Sequence, residues 1–162
     1  MKYLLLTLKH KYWVLRYGLK VGCPIWRLIM HDMSKLTPSE YPYYQRQVFG
    51  DKGDQAGFNN AWLHHQNTNE HHWEYWIPRT CHDKGTPRLP DNEPMEMSND
   101  AVLEMVSDWM GASHAYSGKP IDINNWPWLD ERWPRYCKTF HPKTKTKAAR
   151  VLFRLGRKYL CP

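Results

Sequence analysis

The chain has 162 residues, a length that suits one folded domain with a single hydrophobic core. Its mean hydropathy of −0.77 excludes an integral membrane protein, and its formal net charge of +7 favours an anionic partner. The apolar run near the start is too short to cross a bilayer, and no small-residue cleavage site follows it, so we expect no signal peptide and no membrane partner. The four scattered cysteines predict reduced thiols in a cytoplasmic protein.

The first predicted element is a helix over residues 3–20. Two apolar stripes recur along it at spacings of three and four residues, and they predict that it is buried on two sides. One stripe comprises Leu5, Leu8, Tyr12, Leu15 and Leu19, and the other comprises Tyr3, Leu6, His10, Trp13 and Tyr17. Gly22 and Pro24 end this helix, and a second helix containing "WRLIMHDMSKL" is predicted after Pro24.

The sequence "TPSE" predicts the start of a third helix. Thr37 would be its N-cap, Pro38 its first residue and Glu40 the side chain that reaches back, with the helix running to Phe49. "GDKGDQAG" is then a loop, in which Asp51 and Asp54 are turn residues. A fourth helix carries "AWLHHQNTNEHHWEYW", and a break at "NTN" stays open.

The second half of the chain starts with a long irregular segment. Residues 77–97 contain four prolines and are predicted to form a lid or a substrate wall. Ser98 or Asn99 should cap a helix through Tyr116, after which comes a loop with a short Trp-rich helix. Pro142 opens a basic helix over 142–160. No segment alternates as a strand does, so the predicted fold is all-α, one compact helical domain over 1–162.

The basic C-terminal helix admits two interpretations. Residues 138–162 contain eight Lys or Arg and no acidic residue. In one interpretation the apolar side chains pack on the core while the cations face water; those side chains are Val151, Leu152, Leu155 and Tyr159. In the other, the cations form a surface for the phosphates of a nucleotide or nucleic acid.

The candidate chemistry centres on "MHDMSK". His31 and Asp32 together offer an imidazole and a carboxylate, a combination that suits Mn, Fe, Co, Ni or Zn rather than Ca. The pair alone is a weak signal, but His10 precedes it in an aromatic stripe, and Asp108 follows on a later helix. The alternatives are a core histidine at position 10, an exposed pair at 31–32, and an ion pair or cap at Asp108.

Two histidine doublets, His64–His65 and His71–His72, add four imidazoles. In a continuous helix His64 would share a face with His71, and His65 with His72, because each pair is seven residues apart. One pair would bind metal while the other packs or supports the ligands, and the sequence leaves open which. Supporting roles are also open to Asn67, Glu70 and Glu74, whereas structural or exposed positions are predicted for His82, His114 and His141.

The order His, His-Asp, His, His, Asp resembles the HD-domain superfamily of metal-dependent phosphohydrolases. "HDMSK" is similar to that family's His-Asp-x-Gly-Lys turn, with Ser34 in the place of the glycine. The blocks "HD.SK..PSE", "AWLHHQN..HHW.YW" and "EMV.DWMGA" also resemble a group of small phage and bacterial proteins, over most of residues 5–118. This second resemblance implies a phage or bacterial origin and a location in the bacterial or host cytoplasm.

The superfamily resemblance implies an HD-like helical bundle that hydrolyses the phosphoester of a nucleotide or signalling nucleotide through metal-activated water. One divalent transition metal would be held by His10, His31, Asp32 and Asp108. Asp32 would also bridge to a second metal, held by one histidine from each doublet. Lys35 and Asp32 would be catalytic, and the substrate would be bound by Lys35, Asn67, Tyr41 and Tyr44.

Two other functions remain open from the sequence. The same ligand set could hold two irons and activate oxygen, as in the diiron oxygenase branch of the superfamily. Alternatively, the protein could be a non-catalytic accessory protein that binds a nucleotide or nucleic acid through its basic tail and aromatic residues. The sequence does not indicate an oligomeric state.

Overall fold

A computed structural model of the chain describes residues 2–78, residues 93–158 and residue 160. These residues contain no strand, which confirms the predicted all-α fold. Seven α-helices form one compact domain: α1 Lys2–Val21, α2 Ile25–Met30, α3 Tyr41–Phe49, α4 Gln55–Thr68, α5 Asn99–Ser117, α6 Pro127–Thr139 and α7 Pro142–Arg154. Two short 3-10 helices follow α2 and α4, at Met33–Leu36 and Trp73–Trp76.

The long helices α1 and α5 form the centre of the fold and pack extensively on each other. Gly111 of α5 faces Val14 of α1 so closely that a Cβ on this glycine would lie 2.5 Å from the Val14 Cγ2 and 2.7 Å from its backbone nitrogen. The predicted cap of α5 is confirmed, since the Ser98 side chain accepts a hydrogen bond from the Ala101 N–H. This close crossing brings His10 of α1 and Asp108 of α5 together.

The largest hydrophobic cluster joins α5 to α6 and α7. In α7, Val151 and Leu152 are buried, and the Lys147 amine binds the Glu96 carboxylate at 2.7 Å, as expected for a helix that packs on the core with its cations outward. The predicted end of this helix at residue 160 is wrong. It stops at Arg154, because Gly156 adopts the left-handed region with φ 99°. Tyr159 lies outside the described residues.

The prediction that α1 is buried on two sides is wrong. One stripe is largely buried and includes Tyr3, His10 and Tyr17, whereas most of the other stripe faces solvent. Its exposed members are Leu5, Leu8, Tyr12 and Leu19. Apolar periodicity therefore identified the helix correctly but overestimated how much of its surface the domain covers.

The predicted capping box is also wrong. Helix α3 starts at Tyr41, and Thr37 instead ends the preceding 3-10 helix, where its hydroxyl donates to the Ser34 carbonyl at 2.7 Å. Glu40 makes no cap and is fully buried against two histidines of α4. Asp54 is more than a turn residue, since it caps α4 by accepting from the Gly57 N–H at 2.8 Å.

The predicted helix through "WRLIMHDMSKL" ends earlier than expected, at Met30. The next turn contains Asp32 in the left-handed region, with φ 56°. The sequence left a break at "NTN" open, and the structure shows one: α4 ends at Thr68, and a separate 3-10 helix follows.

Most of the predicted loop 77–97 lies outside the described residues, as do Cys81, His82 and Cys161. In the described part, Cys23 and Cys137 are free thiols. None of the described helices combines the length and apolar character needed to cross a membrane.

Substituting Gly111 with alanine tests the α1–α5 crossing. We expect Gly111→Ala to lower the free energy of unfolding by about 1–3 kcal/mol, because the methyl group meets the Val14 backbone, although alanine favours a helix by ~1 kcal/mol. Urea unfolding followed by circular dichroism measures this change. In the control Gly53→Ala, the new Cβ has no neighbour closer than 3.5 Å, so stability should stay equal or rise by up to about 1 kcal/mol. Equal stability of Gly111→Ala and wild type would contradict the close crossing.

Candidate metal centre

Four of the predicted ligands meet at one point between α1, α5 and the turn after α2. They are His10, His31, Asp32 and Asp108, and one ligand atom of each lies within 4.8 Å of the others. We call this group cluster A. The His10 Nε2 lies 3.2 Å from the Asp32 Oδ2 and 3.1 Å from the Asp108 Oδ1. The imidazoles and Asp32 are almost completely buried, so cluster A is an interior site with mixed nitrogen and oxygen ligand atoms.

The turn after α2 determines where the Asp32 carboxylate points. Helix α2 ends at Met30, and the positive φ of Asp32 reverses the backbone direction there. The Lys11 amine of α1 secures this turn by donating to the backbone carbonyls of Ile29 and His31. Asp32 and His31 can therefore point to the same place although they are adjacent in sequence.

A second group of imidazoles lies on the other side of Asp32. His65, His71 and His72 place ligand atoms within 4.8 Å of one another, and we call them cluster B. The Asp32 Oδ1 is 3.4 Å from both the His65 Nε2 and the His71 Nε2. All three of these atoms are buried and have no hydrogen-bond partner among the described residues. Buried polar atoms in native structures are nearly always paired. Three buried, unpaired atoms that point towards one another and can each ligate a metal therefore indicate a cation-binding site.

The structure distinguishes the members of the histidine doublets. From the first doublet, only His65 reaches cluster B, while the partly exposed His64 turns away and binds Glu40 through its Nδ1 at 2.7 Å. Both His71 and His72 of the second doublet belong to cluster B. The predicted seven-residue pairing on one helical face does not apply, because α4 ends at Thr68. His64 is thus a predicted ligand that the structure does not bring to the site.

Glu104 contacts a histidine of each cluster and was not among the residues predicted from the sequence. Its carboxylate accepts hydrogen bonds from the Nδ1 of His31 at 3.0 Å and the Nδ1 of His71 at 3.2 Å. Arg27 donates to its other oxygen at 2.8 Å. A carboxylate that binds one ring nitrogen of a histidine fixes the tautomer and leaves the Nε2 lone pair free to bind metal. The available signal was its position one helical turn before Asp108, on the same face of α5.

Glu40 has the same role for His65. Its Oε2 accepts from the His65 Nδ1 at 3.0 Å, which leaves the Nε2 directed towards Asp32. The spacing of Glu40 from Thr37 matches a capping box, which is why a helix cap was predicted for it. Asn69 adds to this support, since its amide donates to the Ser34 hydroxyl and the His65 carbonyl, each at 2.8 Å.

The pKa values give most of these groups the charges that metal ligands need. Burial opposes ionisation of Asp32, but His31 and Lys35 outweigh it and hold the pKa of this carboxyl well below its usual range. The same balance, with hydrogen bonds from His10 and His31, lowers the pKa of Asp108. Burial lowers the pKa of His65 and, further, that of His72, so both rings are neutral near pH 7.

His31 differs from these rings. Burial opposes its positive charge, but Asp32, Asp108 and Glu104 overcome this effect and raise its pKa to about 10. A proton on His31 therefore compensates the surrounding carboxylates when no metal is bound. Metal binding must release that proton, because only a neutral imidazole is a ligand.

Residues 1–152 match a family described as "Family of unknown function (DUF5662)". The chain belongs to this family. No curated protein and no solved structure matches the chain. The matched span includes both clusters, Glu40 and Glu104.

The predicted substrate contacts of this DUF5662 member lie at different distances from the clusters. The Lys35 amine is 2.6 Å from the Asp32 Oδ2 and 5.7 Å from the centre of the Tyr44 ring. Burial opposes its charge, but Asp32 and Asp108 raise its pKa, so Lys35 stays cationic. Tyr41 packs edge-on against Tyr3.

The remaining candidates have supporting or structural positions. Asn67 is half-buried on α4, and Glu70 binds Arg27 at 3.0 Å. The Glu74 carboxylate lies 3.9 Å from the His72 Nδ1. As predicted, His114 is structural: it stacks on Trp13 and shares a hydrogen bond of 2.8 Å with the Tyr17 hydroxyl.

The substitution Glu104→Gln tests the support of the ligands. We expect it to weaken divalent-metal binding by about 10–100-fold, because the amide no longer accepts well from both the His31 and His71 rings. Titration calorimetry with Mn²⁺ on metal-stripped protein measures the affinity. The control Glu96→Gln removes an exposed carboxylate that binds Lys147, and metal affinity should not change. Wild-type affinity in a folded Glu104→Gln variant would contradict the assigned role.

Proposed function

We propose that this protein is a metal-dependent phosphohydrolase, which hydrolyses a phosphoester with water. The observation that carries the proposal is the position of Asp32 between the two clusters. One of its oxygens faces His10 and Lys35, at 3.2 and 2.6 Å, while the other faces His65 and His71, each at 3.4 Å. A buried carboxylate placed in this way can bridge two cations, and an adjacent lysine suits a phosphate substrate.

The donor sets support two divalent ions. Cluster A would hold one through His10, His31, Asp32 and Asp108, and cluster B together with Asp32 would hold the other. Bound divalent metals would polarise a phosphoryl oxygen and lower the pKa of a coordinated water. Manganese, iron, cobalt, nickel and zinc all suit a site of imidazoles and carboxylates.

The chain's own residues would contribute binding and charge stabilisation. The Lys35 ammonium group would neutralise a phosphoryl oxygen as negative charge increases in the transition state. Glu104 and Glu40 would keep the imidazoles of both clusters in fixed orientations. In the overall reaction the oxygen of water bonds to phosphorus, the ester P–O bond breaks, and the leaving alcohol takes up a proton.

The environment of Asp32 favours hydrolysis over the two other functions. A diiron oxygenase would use the same imidazoles and carboxylates, but the half-buried Lys35 ammonium group beside the Asp32 carboxylate matches an anionic phosphoester better than dioxygen. The basic tail offers less support for nucleic-acid binding than its composition implies, because Lys143 and Lys147 both bind Glu96. A nucleotide, which the sequence analysis predicts as substrate, is one phosphoester that the assay must include.

The substitution Lys35→Met tests the proposed function. We expect kcat/KM for phosphate release to fall by about 100-fold or more, because one positive charge is lost at the phosphoryl oxygens, while the metal content stays unchanged. Phosphate release from metal-loaded protein would be followed with nucleotides, p-nitrophenyl phosphate and other simple phosphoesters. The control Lys138→Met removes an exposed cation at the end of α6 and should retain wild-type activity. Failure of the metal-loaded wild type to release phosphate from any of these compounds would contradict the proposal.

A further inference from the structure

A cavity of about 140 Å³ adjoins cluster A, and it lies between α1, α3, α4 and the end of α5. His10 and Lys35 both line it, so the cavity reaches the candidate metal ligands directly. A phosphoester whose phosphoryl group meets cluster A and Lys35 would therefore place its organic group in this cavity. Its other walls include Tyr3, Tyr44, Val48, Phe58 and Tyr116.

The walls are aromatic and carry no further charge. Tyr3 and Tyr44 stack with their ring centres 5.9 Å apart, and Phe58 meets Tyr44 edge-on at 5.4 Å. Tyr116 is largely exposed and lies parallel to the His10 ring at 6.5 Å, so it forms the outer side of the cavity. Such walls bind an uncharged ring or alkyl group better than a charged or strongly hydrated one.

One polar atom in these walls is left without a partner. Tyr44 is 7% exposed, and its buried hydroxyl makes no hydrogen bond to any described residue. Leaving a buried hydroxyl unpaired costs free energy, and a ligand that brings an oxygen or nitrogen acceptor would remove this cost. The unpaired hydroxyl is thus an indication, independent of the metal ligands, that the cavity accepts a ligand.

The volume limits what that ligand can be. A protein cavity of about 150 Å³ holds one benzene molecule. The cavity beside cluster A is of this size, so a single ring fills it, and a base together with its ribose would extend beyond its walls. The Lys35 ammonium group at the inner end suits the phosphoryl group of a small phosphoester, and the aromatic walls further out suit its organic group.

We propose that the substrate is the phosphate ester of a small aromatic or cyclic alcohol, whose single uncharged ring fills this cavity, rather than a nucleotide. This inference rests on the proposed phosphohydrolase function and specifies its substrate class. Hydrolysis consumes one water, breaks the ester P–O bond, and gives inorganic phosphate and the ring alcohol, which takes up a proton. A ring oxygen or nitrogen, or a substituent on the ring, accepts a hydrogen bond from the Tyr44 hydroxyl.

Binding of non-hydrolysable phosphonates tests the inference separately from catalysis. Titration calorimetry on the metal-loaded full chain would compare phenylphosphonate, methylphosphonate and the phosphonate analogue of adenosine 5′-monophosphate, in which a CH₂ group replaces the ester oxygen. We expect phenylphosphonate to bind about tenfold or more tightly than methylphosphonate, because burial of the ring adds affinity. We expect the nucleotide phosphonate to gain no such advantage. Equal affinities for phenylphosphonate and methylphosphonate, or tighter binding of the nucleotide than of phenylphosphonate, would overturn the inference.

A variant that fills the cavity links the preference to this site. Val48 is 45% exposed at the edge of the cavity, so Val48→Trp can place an indole there without disturbing the core. We expect it to remove the phenylphosphonate advantage and to change methylphosphonate affinity by less than about twofold. The control Leu19→Trp adds the same side chain on the exposed face of α1 and should retain the preference. An undiminished preference in a folded Val48→Trp variant would overturn the assignment to this cavity.

Phosphate-release assays then separate the two proposals. Hydrolysis of phenyl phosphate and adenosine 5′-monophosphate with equal kcat/KM would support the phosphohydrolase and overturn the ring preference. Tighter binding of phenylphosphonate than of methylphosphonate, without phosphate release from any phosphoester, would support the assignment of the cavity and contradict the phosphohydrolase function. Loss of both would overturn both proposals.

Discussion

The buried Asp32 carboxylate is the constraint around which the described part of the domain is arranged. Its side chain is fully buried and ionised, so its charge must be compensated by other groups inside the protein. The compensating charges come from His31 and Lys35, and the carboxylate also faces rings from other parts of the chain, namely His10, His65 and His71. Folding therefore brings α1, the turn after α2, α4 and the segment after α4 to one point.

The charges around Asp32 favour the binding of a cation. Asp108 and Glu104 add negative charge, and a proton on His31 and the Arg27 guanidinium offset part of it. A cation at cluster A would replace the His31 proton with a larger positive charge. At cluster B no equivalent proton is present near pH 7 on His65 or His72, which leaves neutral imidazoles facing an unpaired carboxylate oxygen.

The sequence predicted the parts of the site that are distinctive in composition. The His-Asp pair, the isolated His10 in an aromatic stripe and the histidine doublets stand out, and the structure brings all of them except His64 to one region. Glu104 and Glu40 could not be identified in the same way, because a single carboxylate on a helix is common. Their role becomes visible only when the helices pack and each one meets a histidine ring.

Local rules failed where tertiary contacts compete with them. Glu40 has the spacing of a capping box, but two imidazoles offer it stronger partners than a backbone N–H does. The pairing of histidines seven residues apart assumed a continuous helix, whereas α4 ends at Thr68, after which His71 turns towards Asp32 and His72 meets His65 and His71 in cluster B. The apolar outer stripe of α1 correctly predicted a helix. Periodicity alone does not show whether another part of the protein packs on that stripe.

The most direct test of the account is the metal content of the purified protein, wild type and Asp32→Asn, by plasma mass spectrometry with and without reconstitution. We expect about one or two equivalents of Mn, Fe, Co, Ni or Zn per chain in the wild type, and loss of the bound metal when the residue at position 32 can no longer bridge the clusters. The Glu96→Gln protein serves as the matched control and should retain the metal. A wild-type protein that binds no transition metal after reconstitution would contradict the central claim, and so would a folded Asp32→Asn variant with full metal content.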